Sequence, residues 1–299
     1  MVVEKIDTFS GHRDCVYTLE RGSESFQFFS AGGDGLVVRW DLRKPDAGEL
    51  FAQIPASIYA LCFDNIKNQL WIGQNFEGIH LIDVESKEEI NSIKITSASI
   101  FDIKIHNENA FVGLSDGTIV VMDVERFTVK KHIKASDKSV RNIAINSLMS
   151  EFAVAYSDFS VKIFDLIDFS LKLVVNQHTN SVFALSYSPD FHYLITAGRD
   201  AHLKILAVNQ EYNLYKDIPA HLFAINDIKF SPNGKYFASC SMDKSIKIWD
   251  AEEFKLLKVI DKSRHAGHGT SINKLWWSEY ENLLVSASDD KRISVWSLL

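Results

Sequence analysis

The chain repeats itself about every 42 residues, and that period restricts the fold more than any local feature. Six eleven-residue windows align without a gap: SAGGDGLVVRW (30–40), VGLSDGTIVVM (112–122), VAYSDFSVKIF (154–164), TAGRDAHLKIL (196–206), SCSMDKSIKIW (239–249) and SASDDKRISVW (286–296). A seventh, IGQNFEGIHLI (72–82), keeps the spacing with Phe76 where the others have Asp. Each window reads as a short strand, a tight turn led by Asp, and a strand alternating inward and outward residues. The anchors Asp34, Phe76, Asp116, Asp158, Asp200, Asp243 and Asp290 stand 42, 40, 42, 42, 43 and 47 residues apart. Such a period holds four short strands with their turns and leaves no room for a helical crossover.

A second column lies upstream of each anchor, an apolar-x-x-apolar pair: Val16–Leu19, Ile58–Leu61, Ile100–Ile103, Val140–Ile143, Val182–Leu185, Ile225–Ile228 and Ile272–Leu275. Its first residue precedes the anchor by 18 positions in six units and by 16 in the third. That two-residue deletion falls in the His106–Asn109 stretch, where a hairpin turn absorbs it. Hairpin signals such as Ser231-Pro232-Asn233-Gly234 separate the columns. Seven evenly spaced copies of four strands make a β-propeller pattern. The Trp-Asp pairs (Trp40-Asp41, Trp249-Asp250) and Gly-His pairs (Gly11-His12, Gly267-His268) resemble WD40 repeats, and the resemblance covers nearly the whole chain. It implies an all-β fold: one seven-bladed WD40 β-propeller domain over residues 1–299, with four-stranded antiparallel blades. Residues 1–9, with Val3–Phe9 as the strand, would complete blade seven beside a unit ending at Leu299. Closure matters because an open stack of blades leaves strand edges unpaired.

His, Ser/Thr and Asp recur in a way that imitates hydrolase chemistry. A histidine stands 22 residues before the anchor in four units: His12/Asp34, His178/Asp200, His221/Asp243 and His268/Asp290. In the same units Ser30, Thr196, Ser239 and Ser286 stand four before it, and Trp40, Trp249 and Trp296 six after it, Leu206 replacing Trp in the fifth. In the family resembled, these residues form a buried hydrogen-bonded chain, and burial favours that role because each polar group satisfies its neighbour. Catalysis would need one exposed nucleophile with a base and an oxyanion site, not four copies at turn positions. No catalytic residue and no enzyme activity are expected. Units two to four carry Ile54, Lys94 and Ser136 at the histidine position, with Ile72, Val112 and Val154 at the hydroxyl position. Apolar packing by Ile82, Met122 and Phe164 is expected to take over there.

Composition removes other classes. A net charge of −7 lacks the basic footprint of a nucleic-acid binder, and the run Lys130-Lys131-His132-Ile133-Lys134 reads as a solvated outer strand. Three scattered cysteines form neither a disulfide framework nor a zinc site. No apolar stretch reaches spanning length, and the opening residues lack a signal peptide's apolar run. His80, His106, His132, His192, His202 and His265 show no metal spacing. The expectation is no metal, no cofactor, no membrane, and a cytoplasmic protein, the nucleus being the second choice. The stretch Asp261–Ala266 reads as an enlarged loop before blade seven, and Arg43–Gly48 as a longer exit from blade one.

The WD40 resemblance implies a protein or peptide partner on the face around the central channel, gripped by a monomeric propeller within a larger complex. Residues following the first apolar position are Tyr17, Tyr59, Phe101, Arg141, Phe183, Asn226 and Asn273; those before it are nearly all small. Arg199 and Asp289, just before their anchors, join this set. Aromatics and arginine often carry interface energy, and small neighbours are expected to leave their faces open. An extended peptide would place an apolar group near Tyr59–Phe101 and an acidic group near Arg141 and Arg199. A substrate adaptor of a ubiquitin ligase is the alternative, since Trp40-Asp41-Leu42-Arg43 resembles the WDxR motif of such adaptors.

Overall fold

The computed structural model describes residues 1–44 and 47–298. Pro45 and Asp46, inside the long exit from blade one, and Leu299 lie outside the described residues. The chain forms seven four-stranded antiparallel sheets. Six are built from consecutive strands, and the seventh takes the amino-terminal strand Val3–Phe9 onto Ile293–Leu298. Inner strands pack side by side around a ring, that of blade seven against that of blade one.

The apolar-x-x-apolar motif has a geometric cause. A regular strand sends residues i and i+2 to one face, yet the motif spaces its buried residues by three. In all seven blades the register between the inner strand and its neighbour shifts just after the first apolar residue, as between Val16 and Thr18 or Val140 and Asn142. This bulge returns both apolar residues to the blade interface: Val16, Ile58, Ile100, Val140, Val182 and Ile225 are wholly inaccessible. Burying each such side chain stabilises by roughly 1.5–3 kcal/mol.

The anchors also have a local reason. Residues after six of them adopt left-handed backbone: Gly35, Gly117, Phe159, Ala201, Lys244 and Lys291, with φ between 63° and 90°. The preceding aspartate accepts the N–H two residues on, as at Leu36 (3.1 Å), Thr118 (2.9 Å) and Ser245 (3.0 Å), an Asx turn. Gly117 permits no side chain, since a Cβ would lie 2.2 Å from Ser136 O. Phe76 does not act as an anchor. It lacks an acceptor, so the left-handed residue in blade two is Phe76 itself (φ 68°), its ring exposed.

The recurring polar residues meet as buried chains. In blade one Trp40 Nε1 donates to Ser30 Oγ (2.7 Å), which lies 2.7 Å from His12 Nε2, and His12 Nδ1 lies 3.0 Å from Asp34. Blade six repeats this with Trp249, Ser239, His221 and Asp243, and blade seven with Trp296, Ser286, His268 and Asp290. Blade five keeps Thr196, His178 and Asp200, at 2.7 and 2.8 Å, while Leu206 packs where the indole would be. In blades one, six and seven the indole N–H donates to the serine hydroxyl, and the imidazole bridges that hydroxyl and the carboxylate. Burial lowers the pKa of His12 and His221. Asp200, Asp243 and Asp290 are held below the usual carboxylate range, where hydrogen bonds from their histidines outweigh desolvation. Blade four substitutes another network: Ser136 Oγ donates to Asp158 (2.7 Å), as does buried Lys162 (2.6 Å), whose ammonium also sits 4.1 Å from the centre of the Tyr156 ring. Blades two and three bury Ile72, Ile82, Val112 and Met122 at the corresponding positions.

Phe9 of the closing strand is buried and stacks on Trp40 at 5.2 Å, tying the seventh sheet to the first. The stretch Asp261–Ala266 is one turn of helix, Lys262–His265, capped by Asp261, and Ala266 O accepts Lys5 Nζ at 2.9 Å. Phe9→Ala is therefore expected to cost about 3–5 kcal/mol, and deletion of Val3–Phe9 to lower the melting temperature of the whole ring. Hydrogen exchange should then rise in blades one and seven together; exchange confined to the terminus would contradict it. Ser239→Ala strands His221 and Trp249 and should cost about 1–3 kcal/mol in urea unfolding. The depressed histidine and aspartate pKa values mean the unfolded chain binds more protons. Stability should be full above the ordinary histidine value, decline as pH falls below about 6.5, and decline again below the ordinary carboxylate range. A urea midpoint that rises on acidification would contradict this.

Candidate functional site

The inner-strand bulge that buries the apolar pair leaves one residue out of the ladder in each blade. Those residues are Tyr17, Tyr59, Phe101, Arg141, Phe183, Asn226 and Asn273. All seven line one cavity of about 390 Å³ at the mouth of the channel, together with Asn142 and Lys274. Each is half-buried. Five form a continuous arc: Tyr17 to Tyr59 at 4.6 Å, Tyr59 to Phe101 at 5.5 Å, then the Arg141 guanidinium 4.3 Å from the Phe101 ring centre and 4.7 Å from that of Phe183. The expectation of open ring faces is corrected here. The channel is narrow enough for adjacent bulge residues to cover one another, so faces are shared within the arc.

The polar side of the cavity is internally bonded. Asn226 Nδ2 donates to Ile272 O (2.8 Å), and Asn273 Nδ2 to Val16 O (2.9 Å) and Asp289 (2.7 Å). Asp289 thus fixes Asn273 without lining the cavity, and Arg199 is exposed and also outside it. Below the mouth, Asp102 accepts Asn142 Nδ2 (2.7 Å) and Ile143 N–H (2.8 Å), while Asp227 accepts Leu275 N–H (3.0 Å) with Lys274 at 3.4 Å. These bonds join neighbouring blades. Burial lowers the Arg141 pKa and raises that of Tyr17.

Sequence reasoning missed Asn142 and Lys274, which follow the bulge directly. It also missed Leu222 and Phe223, 84% and 62% exposed, which with exposed Met242 form an apolar edge on blade six. Two apolar residues immediately after His221, in a loop, were the available signal. Ala224 O accepts Met242 N–H at 3.0 Å, and Asn226 in the cavity lies two residues on.

Arg43 of the Trp-Asp-x-Arg segment is engaged locally. It forks onto Asp41 at 3.0 and 2.7 Å and its guanidinium stacks 3.4 Å from the Phe26 ring centre. The basic run on blade three is tied to neighbouring acceptors, Lys130 to Asp123 (3.1 Å) and Lys131 to Asp168 O (2.8 Å). Among the described residues no group of three or more His, Cys, Asp or Glu could hold a metal, and no helix is long and apolar enough to cross a membrane.

Comparison with known proteins agrees with this geometry. The family model for the WD domain, G-beta repeat (WD40), matches residues 3–41, 169–205, 212–250 and 259–297. Protein tipD of Dictyostelium discoideum is 25% identical over 295 residues, 96% of this chain and 48% of that protein. DDB1- and CUL4-associated factor 13 of Xenopus tropicalis is 23% identical over 311 residues, 97% of this chain and 66% of that protein. The chain thus spans about half of the first relative and under two thirds of the second. The crystal structure of the WD40 β-propeller domain of Doa1 superposes with a TM-score of 0.88, at 18% identity, over 100% of this chain and 97% of that one. With matches over more than half of its residues and seven four-stranded blades in a ring, the chain belongs to the WD40-repeat family.

Proposed function

We propose that this protein is a non-catalytic interaction scaffold that holds a peptide or protein partner over the mouth of the channel. The observation that supports this reading is the unbroken arc from Tyr17 to Phe183, five aromatic or guanidinium side chains on five successive blades. Such side chains, half-buried on a rigid frame, lose little freedom when a partner covers them. The exposed Leu222, Phe223 and Met242 extend the face over blade six. Polar chains that resemble catalytic triads are buried and satisfied within their blades, which leaves them to structure.

Affinity capture with the wild-type chain and with the combined Tyr59→Ala, Phe101→Ala and Arg141→Ala variant should identify a partner retained by the first alone. With that partner purified, each single substitution is expected to cost on the order of 2 kcal/mol of binding with an unchanged melting curve. Equal affinity for all three would place the interface elsewhere.

A second reading, a ubiquitin-ligase adaptor, draws on the similarity to DDB1- and CUL4-associated factor 13 and on Trp40-Asp41-Leu42-Arg43. The fork of Arg43 onto Asp41 over Phe26 gives that arginine a local role and weakens the reading. Co-purification with a ligase linker that is lost in Arg43→Ala would support it; absence of co-purification, or its persistence in that variant, would remove it.

A further inference from the structure

The guanidinium of Arg141 is the charged group of the cavity that the fold leaves uncommitted. It forms no hydrogen bond or ion pair with any described residue, and its contacts are the two phenyl rings. The other cation of the lining, Lys274, is already 3.4 Å from buried Asp227. Among the described residues no acidic side chain lines the cavity, although the chain as a whole carries a net charge of −7. A half-buried guanidinium without a protein acceptor leaves unused the hydrogen bonds that its planar fork of five N–H groups is built to make.

The two rings also limit the approach. The guanidinium carbon lies over both, 4.3 Å from the centre of Phe101 and 4.7 Å from that of Phe183, and a phenyl ring offers no lone pair to the N–H groups, so these stay available to an acceptor entering the cavity. An acceptor that meets that fork with two parallel hydrogen bonds is a planar carboxylate. One uncommitted positive charge matches one negative charge; a phosphate near −2 would call for a second free cation, and Lys274 is shared with Asp227.

We propose that the channel mouth captures a single carboxylate side chain, a glutamate or aspartate of the partner, against Arg141. This rests on the channel-mouth reading of the partner site and names the group that anchors there. Phe101 and Phe183 position the guanidinium and shield part of it from water, which strengthens the charge-assisted pair. Arginine is required for this geometry, because a lysine ammonium offers no fork and no plane to stack.

The test uses the full chain and three fluorescein-labelled, carboxy-amidated degenerate nonapeptide pools, identical except for a central glutamate, glutamine or phosphoserine. Anisotropy titrations should show the glutamate pool binding about tenfold more tightly than the glutamine pool, the effect of one charge-assisted pair. That preference should disappear in both Arg141→Gln and Arg141→Lys, with circular dichroism melts confirming that each variant folds. Equal binding of glutamate and glutamine pools, both weakened by Tyr59→Ala, would overturn the carboxylate anchor and leave the channel-mouth site standing. Binding indifferent to Tyr59→Ala and Arg141→Gln alike would overturn both. A phosphoserine pool preferred over glutamate, a preference retained in Arg141→Lys, or no binding of any pool would each overturn the carboxylate assignment.

Discussion

Two buried positions three residues apart on every inner strand hold the blades together, and a bulge between them makes that spacing compatible with a pleated sheet. Without the bulge, Leu19 and its six equivalents would turn away from the neighbouring blade that now covers them. The extra residue has nowhere to pack but the channel. A device needed for blade packing therefore also lifts Tyr17, Tyr59, Phe101, Arg141, Phe183, Asn226 and Asn273 into one ring of side chains, and the proposed binding face follows from the packing rule.

The blades are equivalent in shape and unequal in chemistry. Blades one, five, six and seven spend buried polar groups on chains through His12, His178, His221 and His268. Blades two and three replace these with aliphatic side chains, and blade four uses Lys162, Asp158 and Ser136. Aromatic bulge residues cluster on blades one, two, three and five, with Arg141 on blade four between them. Asparagines occupy blades six and seven, where they bond to their neighbours. The mouth is thus asymmetric, an aromatic and cationic arc facing a self-satisfied polar one, and under the proposed function that asymmetry would orient the partner on a nearly symmetric frame.

Much of this was legible in the sequence because the constraint at each position is severe. An Asx turn before a left-handed residue needs Asp34, Asp243 or Asp290, and an interface without free volume needs Val16 and Leu19. Seven repeats of such demands yield the fold, while the WD40 resemblance implied the closing strand and the polar chains of four blades. Ring closure by Val3–Phe9 was foreseeable from the missing fourth strand of the last unit. Features set by distance across the channel were not legible. That Phe101 and Phe183 close on Arg141, instead of offering open faces, depends on the channel's radius. That Asp289 props Asn273 while Arg199 stays outside depends on how turns lean over the mouth. Phe76 matched the spacing by count, but a turn lacking an aspartate moved its left-handed residue by one.

Pairing Val3–Phe9 with Ile293–Leu298 joins segments separated by nearly the entire chain. Contacts of such sequence separation carry a large loop-closure entropy and form late. During synthesis, six blades acquire all four strands in order while Val3 and Phe9 wait, apolar and unpaired, for strands not yet made. A ring lacking Ile293–Leu298 would leave Val3–Phe9 without the strand it pairs with. Molecules arrested at that stage would expose the inner faces of blades one and seven, the sticky surfaces that chaperones and degradation machinery recognise.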